Sequence, residues 1–323
     1  MKATIVGAGA IGGWMAVVLI EAGWEVSLLA RGATLAALKA HGLRIRRKGV
    51  ETTHRPHVGS DPRDLPQADY IILAVKGHDV PSVAPSVAAL CGPQTTVVPA
   101  LNGIPWWFFE VPGVPLAGTV LESVDPGGAA SRAIAFHRVL GCVVHASTWS
   151  PEPGVVTVNQ TDRLIFGEPD GRTSGRCAAL CAAFKGSDVE AVASAEIRHA
   201  IWNKLWGNMS MNPISVLTQS GMSAMLADPD VRALIAAMMG EMQALGVRIG
   251  LPLDATPEAR IAVAARLGDF KTSMLRDLES GRALEIGPLI GAVAEIAERV
   301  GVAVPHILAV LGLLRLRALQ ITD

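Results

Sequence analysis

The sequence lacks several features that would assign it to a common class of protein. Among its 323 residues, 28 basic and 29 acidic side chains leave a formal net charge of −1. A chain without excess positive charge has no electrostatic reason to bind nucleic acid or an anionic membrane surface. Half of the residues are hydrophobic, yet no apolar run approaches the roughly 20 residues that a membrane-spanning helix requires. We therefore expect neither nucleic acid nor a membrane as partner.

The four cysteines follow no spacing typical of a metal site. Cys177 and Cys181 lie one helical turn apart in an alanine-rich segment, which favours core thiols over metal ligands. The sequence contains no Gly-x-Ser-x-Gly elbow of a hydrolase and no phosphate loop of a nucleoside triphosphatase, and its eight histidines show no metal-ligand spacing. The chain begins directly with a strand-like run that leaves no room for an export signal. These absences predict a protein of the reducing cytoplasm that binds no metal.

The first residues carry the most informative motif. Residues 2–13 read KATIVGAGAIGG, a β-branched run that leads into Gly7-x-Gly9-x-x-Gly12 and then into an apolar segment. A strand, a glycine turn and a helix start hold the pyrophosphate of a dinucleotide at the helix N-terminus. Gly7 would make the tight turn, Gly9 would admit the phosphates and Gly12 would let helix and strand pack closely. The alternative is a glycine-rich turn without a ligand. The predicted cofactor contacts are Gly7, Ala8, Gly9, Ala10, Ile11 and Gly12.

The end of the next predicted strand indicates which dinucleotide is bound. Residues 25–30 form a buried run that ends at Arg31, about twenty residues after the glycines, where NAD-binding proteins usually have an acidic residue for the ribose hydroxyls. An arginine here accommodates the 2′-phosphate of NADP(H), unless it only solvates the strand end. Arg44, Arg46, Arg47 and Lys48 could assist, but the simpler interpretation of this basic cluster is the wet face of a strand.

The arrangement of strand-like and helix-like segments predicts the fold. Short apolar strands alternate with helical stretches in the first part of the chain, which is typical of a parallel sheet covered on both faces. The predicted strands after residue 30 are an arginine-rich pair within 43–58, then 68–75, 95–99, 118–123, 139–147, 155–158, 164–167 and 189–193. From about residue 195 helical periodicity dominates. We predict an α/β Rossmann-type parallel-sheet N-terminal domain (1–194) followed by an all-α C-terminal domain (195–323).

Two polar residues follow predicted central strands. Lys76 comes directly after the strand at 68–75, and Asn102 follows the strand at 95–99. Ligands of open α/β sheets bind beyond the carboxyl ends of the strands. Lys76 and Asn102 are therefore expected where cofactor and substrate meet.

A segment near the predicted domain boundary supplies the second strong signal. Lys204, Asn208 and Asn212 are spaced i, i+4, i+8, so they lie along one face of a helix rich in Trp, Met and Leu. Such side chains are unfavourable to bury unless something polar meets them. A partly buried lysine there can donate a proton to a carbonyl oxygen, and the Asn side chains can hold a hydroxyl or a carboxylate. The alternative is an ordinary solvated helix face.

Glu285 is a candidate acidic partner for Lys204. It follows a short predicted helix at 272–278 and stands between apolar residues. A carboxylate near Lys204 could orient the ammonium group or a substrate hydroxyl. A surface or capping role is the alternative.

Taken together, these motifs resemble the ketopantoate reductase (2-dehydropantoate 2-reductase) family in order and approximate spacing. The resemblance covers essentially the whole chain. It rests on Gly7-x-Gly9-x-x-Gly12, Arg31, Lys76, Leu101-Asn102-Gly103, the segment 202–213, and Ser273-Met274-Leu275-x-Asp277 leading to Glu285.

The resemblance implies an NADPH-dependent reduction of 2-dehydropantoate to (R)-pantoate on the route to pantothenate and coenzyme A. Lys204 matches the catalytic lysine, and Glu285 matches the carboxylate that assists it and that also contacts the cofactor. The implied substrate-binding residues are Asn102, Asn208, Asn212 and Ser273. The implied NADPH contacts outside the glycine loop are Arg31, Lys76 and Asn102.

Two departures from the family pattern leave the substrate open. Phe270 stands where family members often have a polar substrate contact, and residues 106–109 read Trp-Trp-Phe-Phe in a chain with only 4% aromatic residues. The aromatic segment fits a packed loop at the domain interface or a hydrophobic wall over a bulkier substrate. An NADPH-dependent reductase of another branched 2-oxoacid or of a 2-ketolactone is therefore one alternative, and a non-catalytic NADP(H)-sensing protein is another. A homodimer is expected, and the apolar stretch 305–318 packs within a domain or between subunits.

Overall fold

The structure is a computed structural model that describes residues 1–320. These residues form two compact units. Unit 1 comprises Met1–Asn102 and Gly127–Ala200, and unit 2 comprises Gly103–Pro126 and the residues from 201 onward. The division differs from the predicted one in two places, because 103–126 packs with the helical unit and 195–200 packs with the first unit.

The described residues contain ten β-strands. They are β1 (Lys2–Val6), β2 (Glu25–Leu29), β3 (Leu43–Arg47), β4 (Val50–His54), β5 (His57–Gly59), β6 (Tyr70–Leu73), β7 (Thr96–Pro99), β8 (Gly141–Trp149), β9 (Val155–Gly167) and β10 (Glu190–Ala193). The α-helices of unit 1 are α1 (Ala10–Glu21), α2 (Gly32–His41), α3 (Val80–Leu90), α4 (Ala129–Ala133) and α5 (Gly175–Ala183). Helix α6 (Ile197–Thr218) crosses the unit boundary. The remaining helices are α7 (Met222–Ala227), α8 (Pro229–Arg248), α9 (Pro257–Arg266), α10 (Ser273–Glu279), α11 (Ala292–Val300) and α12 (Pro305–Leu319).

The first sheet has the strand order β5-β2-β1-β6-β7, and all of its pairings are parallel. Every residue of β6 and of β7 is buried, as expected for strands covered on both faces. The order reverses direction at β1, which places the loop after β1 at the switch point where such sheets bind ligands. The predicted Rossmann-type parallel sheet is confirmed.

A second sheet, which we had not predicted as separate, has the order β10-β9-β3-β4 with β8 also paired to β9. Strand β9 is a single strand where the sequence predicted two, because its middle residues Asn159, Gln160 and Asp162 interrupt the apolar pattern on an exposed stretch. Helix α1 contacts β1 and β2 of the first sheet and β3, β8 and β9 of the second. Its consecutive buried residues, from Gly12 to Leu19, follow from this position between two sheets, since a helix buried all round needs an apolar surface all round.

The predicted strand at 118–123 is wrong. Those residues form turns, and their backbone is held by α11 rather than by a sheet. The backbone amides of Glu122 and Ser123 donate to the carboxylate of Glu295 at 3.0 and 2.9 Å, and Arg299 donates to the carbonyl of Val120 at 3.1 Å. These side-chain contacts satisfy groups that a neighbouring strand would otherwise pair with.

Unit 2 is helical from α6 onward, which confirms the predicted all-α part. Helix α8 contacts α7, α9, α11 and α12, and it buries three methionines, one isoleucine and one leucine. The indole of Trp206 on α6 donates to the carbonyl of Met239 at 3.0 Å and so ties α6 to α8. Within residues 1–320 no helix is long and apolar enough to cross a membrane.

Candidate functional site

The glycine loop between β1 and α1 has the geometry that the motif predicts. Gly7 has a φ of +96°, and a Cβ on it would lie 2.8 Å from the carbonyl oxygen of Ala74. A Cβ on Gly12 would overlap the carbonyl oxygen of Gly7, whereas a Cβ on Gly9 would meet nothing within 4 Å. Gly7 therefore makes the turn and Gly12 allows the close helix–strand approach. Gly9 faces open space, as a position next to a bound phosphate must.

The first turn of α1 is suited to an anion. Gly9 is its N-cap residue and offers no side chain to the first amides of the helix, and this turn contains no acidic residue. Unpaired amides and the positive end of the helix dipole attract phosphate. The residues present thus fit a dinucleotide pyrophosphate.

Arg31, Lys76 and Asn102 all follow strands of the first sheet at its carboxyl edge. Arg31 comes after β2 and is the N-cap residue of α2, Lys76 comes after β6, and Asn102 comes after β7. The register pairs Val6 with both Leu29 and Leu73, so the loops that follow these strands leave the sheet side by side. Unit 1 thereby brings its predicted site residues to one edge.

The side chain of Arg31 is 78% exposed, and its Nη2 lies 3.9 Å from Oδ1 of Asp79. An exposed ion pair at this separation contributes little. The guanidinium is consequently available for a stronger anion, which fits a 2′-phosphate.

The basic cluster on β3 and its turn forms ion pairs inside unit 1. Arg44 pairs with Glu152 at 3.3 Å, Arg46 with Glu51 at 2.5 Å, and Lys48 with Asp188 at 2.8 Å. Arg47 pairs with Glu21. These contacts favour the interpretation of the cluster as a charged strand face over a second phosphate-binding group.

The predicted polar face of α6 is present in unit 2. Lys204 and Asn208 are half-buried, and Asn212 is 6% exposed. The opposite side of the helix is packed, with Trp202, Trp206 and other apolar side chains in the core. The three polar residues follow one another along a helix face by their spacing of four.

Two hydroxyl groups bring Ser273 towards this face. The Oγ of Ser215, three residues after Asn212, lies 2.5 Å from Oγ1 of Thr272, and it also donates to the carbonyl of Asn212 at 2.7 Å. Thr272 caps α10 by accepting from the amide of Leu275 at 3.2 Å. Ser273, the exposed first residue of α10, is thereby placed next to the Asn212 end of α6.

Glu285 is 5% exposed and directly precedes a helix that starts with a π-helical turn at Gly287–Gly291. A Cβ on Gly287 would overlap the carbonyl oxygen of Ser123, and the amide of Ile104 donates to the carbonyl of Pro288 at 2.9 Å. The segment 103–126 therefore packs directly on this turn. A buried carboxylate beside a π-helical turn is typical of a functional position. Because Glu285 is buried, the alternative interpretation of it as a surface residue is wrong.

The two departures from the family pattern lie in unit 2. The carbonyl of Phe270 accepts from the amide of Met222 at 3.0 Å, which ties the segment before α10 to the start of α7. The side chains of residues 106–109 are at most 4% exposed, and Phe108 and Phe109 stack edge to face at 5.1 Å. The aromatic segment is thus fully packed inside the protein.

Sequence reasoning missed one charged group next to the α6 face. The guanidinium of Arg260 on α9 lies against the backbone of Gly207, where a Cβ would be 3.0 Å from Cζ and 3.3 Å from Nε. Burial lowers the pKa of Arg260. The only signal in the sequence is a glycine inside a helix, which is too common to indicate a site by itself.

No cluster of His, Cys, Asp or Glu within the described range could hold a metal ion.

The carboxylate of Glu295 holds the backbone of residues 122 and 123 against α11. Burial alone would raise the pKa of Glu295, but hydrogen bonds from Arg299, Ser123 and Glu122 lower it below its ordinary value. This group belongs to the packing of unit 2 rather than to its polar face.

Comparisons with known proteins agree with these features. The family model described as ketopantoate reductase PanE/ApbA matches residues 3–106, and the model of the C-terminal part of the same family matches residues 196–318. A 2-dehydropantoate 2-reductase of Mesorhizobium japonicum is 42% identical over 321 residues, which cover 99% of this chain and 98% of that protein.

Two solved structures are similar over the full length. A crystal structure from Ralstonia solanacearum MolK2, assigned as a ketopantoate reductase, is 45% identical with a TM-score of 0.95 and covers 99% of this chain and 98% of that one. A 2-dehydropantoate 2-reductase from Methylococcus capsulatus is 27% identical with a TM-score of 0.84, covering 100% and 98%. With its glycine loop, its polar α6 face and a relative 42% identical over nearly its whole length, the chain belongs to the ketopantoate reductase family.

Proposed function

We propose that this protein reduces 2-dehydropantoate to (R)-pantoate with NADPH as the reductant, in the synthesis of pantothenate and coenzyme A. The observation that carries the proposal is the 42% identity with the M. japonicum 2-dehydropantoate 2-reductase across 99% of the chain. The glycine loop and the polar face of α6 support it independently, because the loop fits a dinucleotide pyrophosphate and the face carries a lysine that can donate a proton.

The residues of unit 1 would hold the cofactor. The loop residues from Gly7 to Gly12 would bind the pyrophosphate through their backbone amides. Arg31 would bind the 2′-phosphate and so favour NADPH over NADH, with Lys76 and Asn102 as further contacts at the same sheet edge. When bound, the nicotinamide supplies a hydride to the keto carbon.

The residues of unit 2 would handle the proton and the substrate. Lys204 donates a proton to the carbonyl oxygen, which leaves an alcohol and a neutral amine that regains its proton from water. Glu285 hydrogen-bonds to Lys204 or the substrate and contacts the cofactor. The buried amide of Asn212, with Asn208 and Ser273, would hold the hydroxyl and carboxylate groups of the substrate.

A reductase of another branched 2-oxoacid or of a 2-ketolactone is the second candidate. The observation that favours it is the apolar Phe270, which is half-buried and comes two residues before Thr272, the residue that contacts Ser215 on α6. A polar contact to a hydroxyl at this position would fit pantoate precursors better. This candidate keeps the same chemistry and changes only the preferred substrate.

Steady-state assays of NADPH oxidation over a panel of 2-oxoacids and 2-ketolactones test the proposal. We expect the highest kcat/KM with 2-dehydropantoate and a clear preference for NADPH over NADH. A higher kcat/KM with another carbonyl compound would replace the substrate, and tight NADPH binding without turnover of any compound would favour a non-catalytic sensor.

Assembly and location are proposed on separate observations. Helix α12 exposes Leu308, Leu313 and Leu316 by more than half, and clustered exposed leucines are typical of an interface. We therefore propose a homodimer through this helix. Light scattering should show a dimer, and the substitution Leu316→Glu should dissociate it.

All four cysteines lie among the described residues and none forms a disulfide, which supports the cytoplasm as the location.

A further inference from the structure

Arg260 is placed against the catalytic helix by a glycine. Helix α9 begins after Thr256, whose hydroxyl caps it, and Arg260 lies in its first half with a half-buried side chain. The guanidinium rests on the backbone of α6 at Gly207, within 3.3 Å of where a Cβ would be. Any other residue at 207 would force the guanidinium away.

The charge of Arg260 has no counter-ion in the part of the chain that the structure describes. Within residues 1–320 its side chain forms no ion pair and no hydrogen bond, and burial is the cause that lowers its pKa. Arg282 and Arg299 of the same unit, by contrast, pair with Asp277 at 2.9 Å and Glu295 at 2.7 Å. A partly buried cation without an anion is unfavourable, so this position fits a ligand that brings its own negative charge.

The position relative to Lys204 indicates which ligand group this is. Gly207 follows Lys204 by three residues, and residues at this spacing are neighbours on a helix surface, with Cβ positions about 5–6 Å apart. The carboxylate of a 2-oxoacid is bonded directly to the keto carbon. A group that binds the carboxylate must therefore lie beside the group that meets the carbonyl oxygen, and Arg260 contacts α6 three residues after Lys204.

We propose that Arg260 supplies the positive charge that binds the substrate carboxylate, beside the uncharged contacts from Asn208, Asn212 and Ser273, and that Gly207 is required because it lets the guanidinium reach the α6 face. This rests on the proposed function in that the substrate is taken to be a 2-oxoacid. The planar guanidinium matches a carboxylate with two parallel hydrogen bonds. Arg260 thus selects 2-oxoacids over neutral ketones, while Lys204 performs the proton transfer.

The first test compares Arg260→Gln with the wild type on 2-dehydropantoate. Loss of a charge-assisted contact is expected to raise KM by roughly 10–100-fold with kcat changed far less, because the carboxylate is bound equally in ground and transition states. Gly207→Ala should act in the same direction, because its methyl group displaces the guanidinium while alanine favours the helix. Arg266→Gln, on the exposed side of the same helix, is the matched control and should leave KM unchanged.

A second measurement needs no turnover. Oxalate binding to the NADP⁺-loaded protein, followed by calorimetry, should weaken by roughly tenfold or more in Arg260→Gln and Gly207→Ala. KM and oxalate affinity within twofold of wild type in both variants would overturn the proposal. If the wild type fails to turn over 2-dehydropantoate but loses oxalate binding on mutation of Arg260, the anion site stands and the proposed substrate is wrong.

Discussion

The glycine loop of unit 1 and the polar face of unit 2 are built in different ways. The loop occupies one short stretch, in which Gly7 and Gly12 closely approach neighbouring backbone and Gly9 faces open space. The residues proposed for unit 2 come from separate segments, with Lys204 and Asn212 on α6, Ser273 on α10 and Glu285 before α11, and the hydroxyl contact between Ser215 and Thr272 joins two of these segments. A local site is encoded by a motif, whereas an assembled site is encoded by the contacts between distant segments.

The largest effect should come from the proton donor. Lys204→Ala is expected to lower kcat by roughly 10²–10⁴-fold, the range for a positioned general acid, while NADPH binding to the loop stays within twofold of wild type. Single-turnover kinetics and calorimetry measure the two effects separately. Lys185→Ala, an exposed lysine of unit 1, is the control, and near-normal turnover in Lys204→Ala would remove that residue from the reaction.

Substitution of two glycines of the loop should have opposite effects on cofactor affinity and on stability. Gly9→Ala adds a methyl group to open space, so the free energy of unfolding should not change, but NADPH affinity should fall roughly 10–100-fold because the methyl meets the phosphates. Gly12→Ala creates an overlap with the carbonyl of Gly7 and should destabilise the apo protein by roughly 1–3 kcal/mol. Urea denaturation and NADPH titration distinguish them, and equal destabilisation by both variants would contradict the assigned roles.

Substitution of Arg31 tests whether the preference for NADPH over NADH depends on this one side chain. Arg31→Ala should raise KM for NADPH by roughly tenfold, the low end for a charged hydrogen bond because the side chain is exposed, and leave KM for NADH unchanged. Arg63→Ala, whose guanidinium is 86% exposed and bound to Asp61, is the control. Parallel changes with both cofactors would show that Arg31 does not contact the 2′-phosphate.

The smallest effect should be a pH-dependent one in unit 2. Hydrogen bonds hold the pKa of Glu295 below its ordinary value of 4.5, so its stabilisation is present above that pH and is lost as the pH falls through the lowered pKa. Glu295→Gln should lower the free energy of unfolding by roughly 1–3 kcal/mol at pH 7, and by less below pH 4. Denaturation at several pH values measures this, with the exposed Glu298→Gln as control; a constant difference at all pH values would contradict it.

The features of the fold and of the candidate site that could be predicted from the sequence are those that depend on neighbouring residues or on a regular spacing. The strands of the first sheet and the α6 face follow from runs of apolar residues and from a spacing of four. The assignment of residues 103–126 to unit 2 could not be predicted from the sequence. It depends on the hydrogen bond from the backbone amide of Ser123 to the carboxylate of Glu295, 172 positions later in the chain. Arg260 was missed for the same reason, since its contact with Gly207 leaves no pattern in either segment.

The aromatic segment at 106–109 shows what composition alone leaves open. Four adjacent aromatic side chains suggested either an interface loop or a wall over the substrate, and the structure buries all four of them. Large aromatic side chains near a functional motif are more often core than ligand contacts.

The π-helical turn at Gly287–Gly291 determines the direction, around the axis of α11, in which the preceding Glu285 points. Such a turn holds one residue more than an α-helical turn, and each residue of a helix advances the chain by about 100°. Deleting one residue here would therefore swing the carboxylate to another side of the α11 axis without unfolding that helix. Chains of this architecture that differ by a single insertion in this turn should therefore differ in the direction in which this acid points.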